Sequence, residues 1–259
     1  MEVKKLWESP RDRLDPWARK TFYQISGLHR EAPGQVRMEN QAKKSWDDIK
    51  DHVYPRAILS HYTEVGLQEG RLTLDGEWIF SQVLEQVDTS IIKGAVAYGL
   101  TIGDLPEDPD LFLKLMGDFW GTAYIDSARK AMWEDLQTWD EFQGLSFSEE
   151  LGPGFFGMST NSLMKFDRLL DLSQIDVMLL DKGAMMPAKS VVGLFLLTQG
   201  EPLEFPNRCL FCKGNEKGCA FCGENQERMK NPSSVPGIVS HAGDVFPERL
   251  KIKNHRGRV

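Results

Sequence analysis

"IIKGAVAYGLTIG", residues 91 to 103, is a run of β-branched and small residues that ends in a glycine. It predicts a buried strand followed by a turn. On its N-terminal side, "HVYPRAILSHYTEVGLQEGRLTL" (52–74) passes through a turn at Glu69-Gly70 into a short alternating strand, Arg71 to Leu74. "DGEWIFSQVLEQVDTS" (75–90) opens with a turn and reads on as a helix, with Ile79, Val83 and Val87 four residues apart. Residues 1 to about 45 are charged and poor in apolar repeats, which predicts a short amphipathic helix or an extended arm.

On the C-terminal side lies the longest helical stretch, "LPEDPDLFLKLMGDFWGTAYIDSARKAMWEDLQTW" (105–139), with Asp110 as its N-cap. Phe112, Met116, Phe119, Ala123, Ala128, Ala131 and Met132 form its apolar stripe. Gly117 and Gly121 weaken such a helix unless a neighbour packs closely against them. "LGPGFFGMST" (151–160) is a turn-forming loop in which Gly152 and Gly154 bracket Pro153, leaving backbone open to a ligand. "NSLMKFDRLLDLSQI" (161–175) is a second amphipathic helix, with Leu163, Phe166, Leu170 and Leu172 facing inward. A short apolar segment, a polar break and the strand Ser190 to Thr198 follow. Strands and helices mix without a regular βαβ alternation, so the fold class is α+β.

The chain has 259 residues and a net charge of −7, with 41% hydrophobic and 27% charged residues, the balance of an ordinary globular protein. The negative charge argues against a general nucleic-acid partner. No apolar run reaches the roughly 18 to 20 residues that span a bilayer, so no membrane is expected. "MEVKKLWESPRDRLDPW" has no apolar stretch behind its lysines, which favours the cytoplasm over secretion.

All four cysteines fall in "CLFCKGNEKGCAFC" (209–222), spaced Cys-x2-Cys-x6-Cys-x2-Cys. Cytosolic thiols are kept reduced, so a disulfide framework is not expected. Four thiolates converging from Cys209, Cys212, Cys219 and Cys222 suit tetrahedral zinc or an iron–sulfur cluster. A redox-active dithiol is the alternative. Zinc ribbons usually separate their pairs by more than ten residues, whereas six stand here. Beyond Cys222 the sequence is poor in large apolar residues, and its last fifteen carry five basic side chains against one acidic. That composition reads as a tail or a strap over the surface, with a partner-docking arm as the alternative.

Three blocks in fixed order carry a resemblance. They are "VAYGLTIG" (96–103) with "GTAYIDSARKAMWE" (121–134), then "GPGFFGM" (152–158), then "DKGAMMPAKSVVG" (181–193). Together they resemble the S-adenosylmethionine-binding reactivation domain of cobalamin-dependent methionine synthase, and more closely the short stand-alone relatives that accompany corrinoid methyltransferases. The resemblance covers roughly residues 50 to 200 and implies one curved α+β domain with a bent antiparallel sheet flanked by helices. The expected organisation is an arm or helix over 1–45, that domain over 46–205, a four-Cys metal loop over 206–226 and a tail over 227–259.

The family implies a function. Its members hold S-adenosylmethionine beside a corrinoid borne by another domain or protein; inactive Co(II) is reduced by one electron and trapped by methyl transfer from the sulfonium. By position, Gly152 and Gly154 present backbone to S-adenosylmethionine, Phe155 replaces the loop's usual Tyr, and Phe195 stands where an adenine-side aromatic is found. Asp126 and Glu134, eight residues apart, match the family's helix, though a solvated helix face gives the same spacing. The expected partners are a corrinoid-binding protein or methyltransferase and a flavodoxin- or ferredoxin-type electron donor. A need for single electrons favours the iron–sulfur cluster over zinc.

One departure stands out. The family places an Arg four residues before the second glycine, where a guanidinium can grip the methionine carboxylate. This chain has Glu150, and a carboxylate facing a carboxylate repels. Lys165 or Arg168 from the next helix are candidate substitutes. Met185 and Met186 read as core filler, Lys189 as an exposed charge, and no histidine lies near a convincing nucleophile. Two further readings remain: a docking or electron-transfer partner that has lost S-adenosylmethionine binding, and a zinc-stabilised scaffold.

Overall fold

The computed structural model describes residues 3–28, 34–180 and 183–205. The four cysteines and everything after residue 205 lie outside the described residues, so the metal loop and the tail have no structural account.

The expected buried strand is the middle of a curled five-stranded sheet. It runs Ile92–Thr101 (β6) and is flanked by Arg56–Tyr62 (β2) and Ser190–Gln199 (β10). Val3–Glu8 (β1) and Leu145–Phe147 (β7) are the edges, in the order β1-β2-β6-β10-β7. Every pairing is antiparallel, and Phe195 stands opposite Val96. Side chains alternate across a strand, so β6 sends Val96, Tyr98 and Leu100 to one core and Ala95 and Ala97 to another. Burial on both faces is why residues 91 to 103 lack a polar alternation.

The first core lies under three helices: Arg11–Ser26 (α1), Gln35–Ile49 (α2) and Leu111–Leu136 (α3). Of the helix and the extended arm expected over residues 1 to 45, the described residues take the helix, behind an edge strand. β1 extends the sheet, and α1 buries Leu14, Ala18 and Phe22, a stripe one residue wide. The Phe22 ring stacks on Trp120 of α3 at 3.9 Å. Asp110 caps α3 as expected, accepting from the amides of Phe112 and Leu113, a contact that contributes about 1 kcal/mol. Both α3 glycines have the close neighbours their helix requires. A Cβ on Gly117 would lie 3.4 Å from Ser45 Oγ of α2, and one on Gly121 would lie 2.8 Å from the Lys189 stem.

The second core lies under a small sheet, Gly66–Gln68 (β3), Arg71–Leu74 (β4) and Glu77–Phe80 (β5), together with Leu163–Leu170 (α4). Residues 77 to 80, expected to be helical, are a strand. Asp75 and Gly76 both have positive φ (44° and 79°), making the two-residue turn that returns the chain beside β4. Ile79 then pairs with Leu72, and helical winding is confined to short 3-10 turns at Gln82–Gln86 and Thr89–Ile91. The hairpin of Met178–Leu179 (β8) and Met185–Met186 (β9) leads into β10.

Candidate functional site

The three sequence blocks meet at the β6–β10–β7 side of the sheet. The strand end of the first is tied to the third: the Ile102 amide donates to the Lys189 carbonyl at 3.3 Å, and Ser190 Oγ bonds Thr101 Oγ1 at 2.9 Å. Lys189, expected as an exposed charge, instead crosses onto α3. Its Nζ lies 2.7 Å from Asp118 Oδ1 and donates to Thr122 Oγ1 at 2.9 Å, with the stem in the space left by Gly121. Met185 is partly buried against the second core, and Met186 is exposed.

The loop of the second block is fixed at both ends. Leu151 exchanges two backbone hydrogen bonds with Leu194 of β10, at 2.9 and 2.8 Å. Gly152 is buried where a Cβ would sit 3.2 Å from the Val192 carbonyl oxygen. At the other end, the Phe156 carbonyl accepts from Ser81 Oγ at 2.8 Å, and the Gly154 amide donates to the Met158 carbonyl at 2.9 Å. Between these ties the tip stands out. Gly154 has φ +90° with nothing within 4 Å of a built Cβ, and Phe155 is 41% exposed.

The loop therefore brings Gly152, Gly154 and Phe155 together. Phe195 is elsewhere in character: it is fully buried, stacked on Tyr98 at 5.6 Å and edge-on to Phe147 at 5.9 Å. It is a core residue with no surface to offer an adenine.

Glu150 points inward, and the expected repulsion does not arise from it. Only 5% exposed, it accepts a short hydrogen bond from the Tyr98 hydroxyl and pairs with Arg129 Nη1 of α3 at 3.1 Å. Arg129 Nη2 also holds Asp126 Oδ1 at 3.0 Å, so Asp126 belongs to this network rather than to a solvated face. Glu134 pairs with Lys130 at 3.1 Å on the same helix. The missing side chain of Gly193 makes the room, since a Cβ there would sit 2.9 Å from the Tyr98 ring and 3.0 Å from Glu150 Oε1. Burial, followed by the Glu150 carboxylate, pushes the Tyr98 phenol well above its ordinary pKa. Burial also works against the Arg129 charge, but Glu150, Tyr98 and Asp126 together outweigh it and raise the guanidinium's pKa. The signal for this network was absent from local sequence, because its members come from β6, α3 and the residues after β7.

The two candidate substitutes for the family's Arg are both engaged on β5. Arg168 makes a bidentate pair with Glu77 at 2.6 and 2.9 Å. Lys165 Nζ donates to the Trp78 carbonyl at 2.5 Å and lies 3.2 Å from the centre of the Trp78 ring. His61 packs edge-on to Phe142 at 5.0 Å, and burial lowers its pKa; it is a packing residue. Among the described residues no group of three or more His, Cys, Asp or Glu side chains is arranged to hold a metal ion. Nor, among them, is any helix long and apolar enough to cross a membrane.

An antiparallel sheet with helices packed on both faces, an exposed Gly-Pro-Gly loop and a cross-strand buried ion network define an α+β domain. The fold is that of a solved structure, the MetH reactivation domain bound to AdoHcy. The two share a TM-score of 0.54 at 12% sequence identity, over 77% of this chain and 79% of that one. No protein-family model and no curated protein matches the sequence.

Proposed function

We propose that this protein is an accessory factor for reductive reactivation of a corrinoid cofactor carried by a partner methyltransferase system, and that S-adenosylmethionine binds against the Gly152–Phe155 loop. The observation that supports this most is the fold shared with a reactivation domain whose solved structure holds AdoHcy, together with the loop's exposed backbone. The residues fit a ligand there in two respects. A Cβ at Gly154 meets nothing within 4 Å, so that stretch of backbone is accessible, and Phe155 offers an exposed ring beside it. The inward Glu150 removes the like charge that would disfavour the methionine carboxylate.

When bound, S-adenosylmethionine supplies a sulfonium methyl group. A partner's cobalt, reduced by one electron, would be the acceptor of that methyl, with the thioether AdoHcy left behind. The chain's own contribution is positional. The ties of Leu151 to Leu194 and of Ser81 to Phe156 fix the loop's two ends, and the Tyr98–Glu150–Arg129 network holds the segment leading into it. Cys209, Cys212, Cys219 and Cys222 have the donor chemistry for an iron–sulfur cluster or zinc. We place the cluster first, as the conduit for the electron from a flavodoxin- or ferredoxin-type donor, in the cytoplasm.

Calorimetric titration with S-adenosylmethionine tests the reading. Saturable heat supports it, and no heat at millimolar ligand ends it. A second reading is favoured by the engagement of Arg168 with Glu77 and of Lys165 with Trp78, which leaves neither cation turned to the loop. In that case the protein docks on the corrinoid partner or delivers its electron without binding S-adenosylmethionine. Iron, sulfide and zinc analysis after anaerobic purification separates both from a zinc-stabilised scaffold: one equivalent of zinc with no sulfide rejects the cluster.

A further inference from the structure

The outer face of the small sheet carries a cavity of about 420 Å³ that the Gly152–Phe155 loop does not line. Its volume lies within the range of small-molecule pockets. Arg71 of β4 and Trp78 and Phe80 of β5 form one wall; Ser159, Asn161 and Lys165 form the other. Strand alternation explains the first wall, because Leu72, Leu74 and Ile79 turn to the core and leave Arg71, Trp78 and Phe80 on the opposite face. Trp78 is 48% exposed, a large aromatic surface left open beside a cavity.

The charges around it are unbalanced in a telling way. Lys165 Nζ is 3.2 Å from the Trp78 ring centre and the Arg71 guanidinium is 5.3 Å from it, so one indole gathers two cations. Arg168, beside them, is neutralised by Glu77. Burial lowers the Lys165 pKa and Glu77 raises it, but Arg168 and Arg71 lower it further, and the net direction is down. The ammonium thus sits where more negative charge would be welcome. Among the described lining residues the acidic one is Glu69, which lies in a turn with positive φ. Ser159 and Asn161 add a hydroxyl and an amide, the neutral donors that commonly orient an oxyanion.

We infer that this cavity is a second ligand site, for a small molecule in which a phosphate or carboxylate is joined to a flat ring. The oxyanion lies between Lys165 and Arg71, and the ring rests against Trp78 and Phe80. Both cations are already held over the indole, so little side-chain freedom is lost on binding. The site does not depend on S-adenosylmethionine binding at the loop.

The test is calorimetry on the full chain with four probes: AMP, adenosine, inorganic phosphate and benzoate. AMP or benzoate is expected to bind, which of the two separating phosphate from carboxylate as the anion. Adenosine and inorganic phosphate alone are expected to bind at least tenfold more weakly. Lys165→Gln should weaken the binding probe at least tenfold, and Trp78→Phe should remove the accompanying tryptophan fluorescence change. Both side chains are at the surface, and thermal unfolding of each variant checks that the fold survives. AdoHcy added afterwards should give the same heat as it gives alone. Failure of both AMP and benzoate to bind at 10 mM, unchanged affinity in Lys165→Gln, or displacement of the probe by AdoHcy would overturn the inference.

Discussion

The two faces of the five-stranded sheet are held in different ways. On one, α3 is pinned along its whole length. Lys189 takes Asp118 in its first half, Arg129 meets Glu150 in its second half, and Asp135 near its end receives Trp7 Nε1 at 2.8 Å and Arg13 at 2.7 and 2.8 Å. On the other face the small sheet and α4 close an apolar core but leave Trp78 half-exposed above it, and the loop tip at Phe155 is exposed as well. The lesson is a division of labour: the helical face is tied down by polar contacts, of which Arg129–Glu150 is buried, and the face with the small sheet keeps aromatic surface exposed. That contrast can be broken in a graded way.

The largest effect belongs to the buried network. Arg129→Met leaves the Glu150 carboxyl without its cation at 5% exposure, and should cost about 3–5 kcal/mol in urea unfolding. Removing the partners together, as Arg129→Met with Glu150→Leu and Tyr98→Phe, should recover most of that loss, because a well-packed apolar replacement avoids desolvating the ions. If the triple variant is as unstable as the single one, the cost comes from packing and not from charge. Next is Gly193→Ala, which forces a methyl against the Tyr98 ring and Glu150; about 1–3 kcal/mol is expected, as for other overpacked cores.

A smaller effect appears at acid pH. Burial tends to raise the Asp135 pKa, but the hydrogen bonds from Arg13 and Trp7 outweigh it, and the carboxyl titrates below its ordinary 3.8. A depressed folded pKa gives stability that is complete above the unfolded value and is lost as pH falls through the folded one. Stability should therefore drop between roughly pH 4 and the acid limb, and Asp135→Asn should flatten that part of the profile. The smallest effect on stability is expected at the open face. Phe155→Ala should change unfolding by no more than about 0.5 kcal/mol, as exposed positions do, while weakening S-adenosylmethionine binding.

This same contrast explains what the sequence could disclose. β6, the Asp110 cap, α4 and the Gly-Pro-Gly loop were legible because each rests on local chemistry: β-branched runs, a capping carboxylate, helical periodicity, turn residues. α1 was legible only as one of two choices, helix or arm, since Leu14, Ala18 and Phe22 are too sparse a stripe to decide between them, and only α3 makes them core. In residues 77 to 87 the spacing of Ile79, Val83 and Val87 mimicked a helix, but pairing with β4 overrode it. Glu150 and Lys189 were misjudged for one reason. Each finds its partner on α3, more than twenty residues away in sequence for Glu150 and more than sixty for Lys189, and no local pattern announces such a pairing. The four cysteines were the most specific motif in the chain and lie outside the described residues.

Hydrogen exchange on the full chain, with and without AdoHcy, measures the central claim where it is made. If the Gly152–Phe155 loop holds the ligand, amides within residues 150 to 158 should slow on adding AdoHcy while those of 66 to 80 stay as they were. Unchanged exchange across 150 to 158 at saturating AdoHcy, or slowing confined to another part of the sheet, would contradict the account.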